Sequence, residues 1–241
     1  MKKGEARKQA ILDTAESMFF DRGYENTSVQ DILDEMHLSK GGFYHHFQSK
    51  LQLLENICAQ RAQMSCERGV SAVASVGDDP IDQFNALFQH GGFFGEESIK
   101  YLALMLSAAY SGEFGQLREQ IRVTMLRQFE PILENILMRG VDQEIFYLKH
   151  PKSLARMLIM LACDVTDDVA YAVAQPTGDA AQFGEVLELL NVYENSVELI
   201  LNAPYGSIHL LDIKRIAQLL RSLVILSGQP APYEDWNQFL S

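Results

Sequence analysis

Apolar residues recur along this chain at helical spacing almost from its start, and no stretch sustains the alternation of a strand. Ile11, Ala15, Met18 and Phe19 fall at i, i+4, i+7 and i+8, which predicts a first helix over 5–22 with one apolar stripe. Gly23 is placed to end it, because glycine accepts the left-handed backbone common just past a helix. Thr27 reads as the next N-cap, with Gln30 as its capping-box partner, and Val29, Ile32, Leu33 and Met36 predict a short second helix over 28–36. After a tight His37-Leu38 connection, Ser39 caps a third helix reaching about His46, with Phe43 and Phe47 facing its core. Ser49 with Gln52 repeats the capping pattern and opens a long fourth helix over 50–75.

Turn and breaker residues then recur at Gly77-Asp78-Asp79-Pro80, Gly91-Gly92, Ser111-Gly112, Gly140, His150-Pro151, Pro176-Thr177-Gly178 and Pro204-Tyr205-Gly206. The intervals between them predict further helices, among them 114–139, 151–175, 179–203 and 207–227, for nine or ten in all. Pro131 removes a backbone donor inside the 114–139 helix and is expected to kink it. The fold class expected is all-α: a three-helix unit over 1–49, a larger helical domain over 50–228, and an irregular tail over 229–241.

Composition narrows the function classes. The chain is 47% hydrophobic and 22% charged, as in an ordinary globular protein. Its start is charged rather than signal-like, and the richest apolar stretch, Leu154 to Val173, is interrupted by Arg156, Asp164, Asp167 and Asp168. A cytoplasmic protein without a membrane segment is therefore expected. Cys58, Cys66 and Cys163 have no metal-ligand spacing and are expected as small core residues, with no metal site. No phosphate-cradling glycine loop, H-E-x-x-H or G-x-S-x-G is present, so neither catalytic residues nor a cofactor is expected. The net charge of −12 argues against nucleic acid only until it is mapped: residues 1–50 carry seven cations against eight anions, and the acidity lies downstream.

Residues 28–46 read as helix, short turn, helix, backed by a preceding helix, and in a helix-turn-helix the second of the pair enters the DNA major groove. The residue types suit that task. Helix starts at Thr27-Ser28 and Ser39-Lys40 offer free backbone N–H groups to phosphates and base edges. Gly41 and Gly42 each sacrifice up to about 1 kcal/mol of helix propensity, which makes sense where backbone must approach a partner closely. Tyr44, His45 and Lys50 supply outward hydroxyl, imidazole and ammonium donors, whereas His46 is expected to be a packed core histidine. Lys2, Lys3, Arg7 and Lys8 are either a solvated start or an arm to phosphates.

The stretches Ile11-Leu12-Asp13-Thr14-Ala15, Phe19 to Tyr24 and Thr27 to Ile32, followed by Leu38-Ser39-Lys40-Gly41-Gly42-Phe43-Tyr44-His45-His46-Phe47-Gln48-Ser49-Lys50, resemble the opening of TetR-family (tetracycline-repressor) regulators. The resemblance covers residues 7–54 without a gap. It implies a repressor that binds double-stranded palindromic operator DNA as a homodimer and is released when a small-molecule effector binds the larger domain. By the same resemblance Thr27, Tyr44, His45 and Lys50 fall at phosphates, and Ser39, Lys40, Gly41 and Gly42 on the base-facing side. Two positions depart from the family pattern: His37 stands where a turn glycine is usual, and Gly42 where a small hydroxyl or methyl side chain is usual. The second departure shifts base readout toward Lys40 and DNA shape.

Beyond residue 50 the chain is rich in aromatic residues and methionine, and a cavity among them is the default effector site. Phe84, Phe88, Tyr101, Met105, Phe129 and Met160 are the apolar candidates. Asp164 and Asp168, four apart on the 151–175 helix, either line a pocket for a cationic or hydroxyl-bearing effector or form a solvated or dimer-rim stripe. Homodimerisation is expected through the 151–175 and 179–203 helices, the second offering Val186, Leu189, Leu190, Tyr193, Val197, Ile200 and Leu201. The 207–227 helix is apolar on two sides and is either sandwiched within the subunit or part of the interface. The acidic balance and Gly42 keep open a dimeric helical adaptor that binds protein instead of DNA.

Overall fold

The computed structural model describes residues 3–91, 115–174 and 180–210. Among these, eight helices and no strand are found: α1 (Lys3–Arg22), α2 (Val29–Glu35), α3 (Lys40–Tyr44), α4 (Lys50–Ser75), α5 (Pro80–Gly91), α6 (Gly115–Asp142), α7 (Pro151–Ala174) and α8 (Ala180–Leu201). The fold is all-α, as the periodicity requires, with one or two helices fewer in the described residues than the nine or ten expected. The breaks expected at Ser111-Gly112 and Pro176-Thr177-Gly178 lie outside the described residues, as does the 229–241 tail. No helix among the described residues is long and apolar enough to cross a membrane.

The described residues divide into two compact units, with boundaries after Ala62 within α4 and after Ile121 within α6. The apolar stripes of the first unit are its core: Ile11, Ala15, Phe19, Ile32, Leu33, Phe43, Phe47, Leu53 and Leu54 are all buried. Burying a side chain of this size is worth roughly 1.5–3 kcal/mol, so each short helix is held by packing rather than by its own hydrogen bonds. Between α1 and α4, Arg61 grips Glu16 through two bonds of 2.7 and 2.6 Å, and the Gln9 and Gln60 amides pair reciprocally.

Among the described residues, three helix ends take a left-handed residue that is not glycine: His37 (φ 51°), Glu144 (φ 59°) and Asn202 (φ 51°). Each closes a double hydrogen bond back onto its helix. After α2, Leu38 N–H donates to the Leu33 carbonyl at 2.9 Å and His37 N–H to Asp34 at 3.2 Å. Ile145 and Glu144 do the same at the end of α6, and Ala203 and Asn202 at the end of α8.

The second unit differs from expectation at Gly140, read as a helix end. Helix α6 runs through it to Asp142, and through Pro131 as well. A Cβ on Gly140 would collide with Cδ2, Cε2 and Cγ of the buried Phe146 ring, the farthest of the three at 2.9 Å. Glycine is required there for close packing, and the turn is made by Glu144. Residues 207–210, expected to begin a helix, are irregular; the remainder of 207–227 lies outside the described residues. That irregular segment is tied down by side chains. The buried Glu198 carboxylate accepts N–H bonds from Gly206, Ser207 and Ile208 at 2.9–3.3 Å. The Asn85 amide donates to the Ser207 carbonyl and accepts from His209 N–H.

Candidate functional site

The helix-turn-helix is set by its helix caps. Ser28, not Thr27, is the N-cap of α2, a correction to the sequence reading. Its hydroxyl accepts from Asp31 N–H at 3.1 Å, and the Asp31 carboxylate accepts from Ser28 N–H at 2.7 Å and Ser28 Oγ at 2.6 Å. The Ser28 hydroxyl and backbone N–H hold the Asp31 carboxyl below its usual value. Thr27 is fully buried, and its hydroxyl donates to the Gly23 and Met18 carbonyls at 2.9 and 3.3 Å. The side chain expected at a phosphate is thus spent on the turn between α1 and α2, and Ser28 holds the exposed place beside it.

Helix α3 lies at the surface. Ser39 caps it by accepting Gly42 N–H at 3.2 Å, and Phe43 and Phe47 turn inward with their centroids 5.8 Å apart. Ser39, Lys40, Gly41, Tyr44 and His45 are left exposed together, with Gly42 half-buried and Tyr44 54% accessible. A Cβ on Gly41 would meet nothing within 4 Å, and one on Gly42 would make only ordinary contacts. Nothing among the described residues requires glycine at either place. His46 is half-buried against His45 and Phe47 rather than deep in the core. Partial burial first, then His45, Arg7 and Lys8, lowers its imidazole pKa.

Lys50, expected only at phosphate, also has work within the chain. Its ammonium donates to the Tyr24 carbonyl at 2.8 Å and sits 4.1 Å above the Tyr24 ring, tying the start of α4 to the end of the α1 turn. Two of its three N–H donors remain for an outside acceptor. Lys8 lies 5.6 Å over the Phe47 ring. Ser49 caps α4 through Gln52 N–H, and the returning Gln52 side chain bonds Gln48 N–H rather than Ser49's own.

The second unit holds a partly open apolar cavity. Its walls come from α5, α6, α7 and α8, with Leu210 from the irregular segment. Of the candidate ligand contacts, Phe88 and Phe129 line it. Phe84 does not: it is fully buried and stacks on Phe88 at 4.9 Å. Met160, Asp164 and Asp168 lie on the exposed side of α7, and Tyr101 and Met105 lie outside the described residues. The carboxylate stripe therefore does not face this cavity, and Asp164 is an ion-pair partner of Arg122. The few polar groups in the wall are satisfied locally: Tyr193 Oη donates to the Leu158 carbonyl at 3.3 Å and Thr166 Oγ1 to Ala162 at 2.7 Å. Burial pushes the Cys163 thiol up to about 11, so this wall residue is an uncharged thiol at neutral pH. Cys58 and Cys66 are buried, in the core role expected of them.

Most of the apolar face of α8 expected at a dimer interface is turned inward, with Leu189 half-buried and Ile200 exposed. Val186, Leu190, Tyr193, Val197 and Leu201 are buried within the chain, where α8 packs on α7. The apolar residues left outside are Met157, Met160 and Leu161 on α7 and Val192, Leu199 and Ile200 on α8, with Leu199 81% exposed.

Residues 11–57 match the profile of the bacterial regulatory proteins, tetR family. The HTH-type transcriptional repressor KstR2 of Mycolicibacterium smegmatis is 31% identical over 83 residues, 34% of this chain and 40% of KstR2. The transposon Tn10 TetC protein of Escherichia coli is 36% identical over 85 residues, 34% of this chain and 41% of that protein. The chain thus matches about two fifths of the length of these relatives. A TetR-family transcriptional regulator of Pectobacterium atrosepticum, known from its crystal structure, shares the fold with a TM-score of 0.57 at 18% identity, over 84% of this chain and 97% of that one.

Proposed function

We propose that this chain, whose residues 11–57 match the tetR-family profile, is a TetR-family DNA-binding transcriptional repressor, working in the cytoplasm as a homodimer on a palindromic operator and released by a small apolar effector. The observation that carries the proposal is α3 itself: a Ser39-capped helix on the surface, seated on Phe43 and Phe47, with Lys40, Gly41, Tyr44 and His45 facing out. In this reading Ser39, Lys40 and the glycine backbone meet base edges, while Ser28, Tyr44, His45 and the spare donors of Lys50 hold phosphates. Thr27 contributes by fixing the turn, not by contact.

The second copy docks through α7 and α8, which leave Met157, Leu161, Val192, Leu199 and Ile200 exposed. The self-complementary pairing of such faces gives the twofold symmetry that two half-sites require. The effector enters the cavity lined by Phe88 and Phe129 and is apolar, matching the described wall residues, which carry no charged side chain. It shifts the protein away from DNA only by binding better to a state whose α3 helices are no longer spaced by one DNA turn, about 34–36 Å.

A mobility-shift titration with the DNA flanking the protein's own gene tests the proposal. A shift whose affinity falls steeply with salt, and which an unrelated duplex of equal length does not reproduce, is expected. Equal, weak binding to both duplexes would refute sequence-specific regulation and favour a protein-binding adaptor.

A further inference from the structure

The described wall of the cavity carries three polar side chains, Cys163 and Thr166 of α7 and Tyr193 of α8, and is otherwise apolar. The hydrogens of both hydroxyls are already committed. Tyr193 Oη lies 3.3 Å from the Leu158 carbonyl oxygen, and Thr166 Oγ1 lies 2.7 Å from that of Ala162. A carbonyl oxygen can only accept, so each hydroxyl spends its one proton on α7. Lone pairs are what each hydroxyl oxygen has left, and among the described residues nothing donates to them. Leu158 and Ala162 are one turn apart on α7, which sets their carbonyls about 6 Å apart along its axis. Their hydroxyl partners therefore form one acceptor patch on neighbouring turns of the helix.

No other group in the described wall offsets this excess of acceptors. Burial, and then the neighbouring Cys163, holds the Tyr193 phenol above its ordinary value, so it stays protonated at neutral pH. The Cys163 thiol is likewise uncharged, and a thiol is a weak donor. A bound molecule whose polar group can only accept, such as an ether or an ester, leaves that group without a strong donor, which costs free energy in an apolar site. A molecule with an O–H or N–H finds an oxygen ready to receive it. We propose that the cavity selects an apolar molecule bearing a hydroxyl or N–H donor, received by Tyr193 Oη or Thr166 Oγ1, over an analogue whose polar group only accepts. Sites that bond a ligand's O–H or N–H discriminate well against analogues without it. The proposal rests on the reading of this cavity as the effector site, and it names the effector's chemistry rather than its consequence for DNA.

Equilibrium dialysis of the full chain against 2-naphthol and its methyl ether, 2-methoxynaphthalene, tests this at neutral pH, where both probes are uncharged. The ether carries the larger apolar surface, so burial alone favours it. Wild type is nevertheless expected to bind the naphthol about fivefold or more tightly. The double variant Tyr193→Phe/Thr166→Val, checked for folding by its melt, should lose about that factor for the naphthol and hold the ether within about twofold, which removes the preference. An ether bound by wild type as tightly as the naphthol overturns the proposal and leaves the effector cavity standing. So does a preference that survives undiminished in the folded double variant; if that variant does not fold, the wild-type comparison decides. Failure of both probes to bind wild type overturns the effector-cavity reading and the proposal together.

Discussion

Gly41→Ala separates a glycine kept for DNA from one kept for the fold. Gly41 is the second residue of α3, its φ is not positive, and a Cβ there would meet nothing within 4 Å. Within the chain the substitution brings only gains: about 0.5–1 kcal/mol from better helix propensity and a less flexible unfolded chain. For a protein of this size that raises Tm by roughly 1–4 °C. On DNA the balance reverses. If the Gly41 backbone lies against base edges, a methyl group there disturbs readout at about 1 kcal/mol or more per half-site. Over two half-sites the loss is about 2 kcal/mol at the least, or roughly thirtyfold in affinity. Differential scanning fluorimetry and fluorescence anisotropy on the operator, at one fixed salt concentration, read the two effects separately. A higher Tm with affinity within threefold of wild type would refute the close approach.

The other tests concern single side chains. Gly140→Ala should lower stability by about 1–3 kcal/mol in a urea melt despite the helix propensity it gains, because the methyl evicts the Phe146 ring; a stabilised variant would contradict that packing. Lys50→Met gives up the hydrogen bond to the Tyr24 carbonyl and the cation over the Tyr24 ring, which should cost about 1–2 kcal/mol. It should also lower the slope of log K against log salt by about 0.9 for each phosphate that Lys50 neutralises; an unaltered slope would leave Lys50 a purely structural residue. The depressed His46 pKa means the folded state takes up its proton less readily than the unfolded chain. Stability should therefore fall as pH drops through about 6.5. His46→Gln should lose less than wild type between pH 7 and 5.5, and parallel losses would show that His46 is not responsible.

The reading head was legible because its information is local. Apolar stripes, Gly23, the Ser39 cap and the tight turn at His37 all lie within a few residues of what they control. The slip at Thr27 was one of register: two hydroxyl residues stand side by side, and only the structure shows that Asp31 completes the box with Ser28 while Thr27 goes inward. Gly140 was misread because sequence reports glycine's weak propensity but not the ring of Phe146 that demands it. The cavity was less legible still. Its wall is drawn from four helices, and Arg122, the ion-pair partner of Asp164, lies 42 residues earlier on another helix. Periodicity likewise located an apolar face on α8 without saying that α7 covers most of it within the chain.

Dimethyl sulfate footprinting on the operator bears most directly on whether Lys40 to His45 is read into DNA, since the reagent methylates guanine N7 in the major groove and adenine N3 in the minor groove. Protection of guanine N7 in two patches centred about 10–10.5 base pairs apart, or a multiple of that, abolished together in Lys40→Ala, is the expected result. Protection confined to adenine N3, or a footprint that Lys40→Ala leaves intact, would contradict the account.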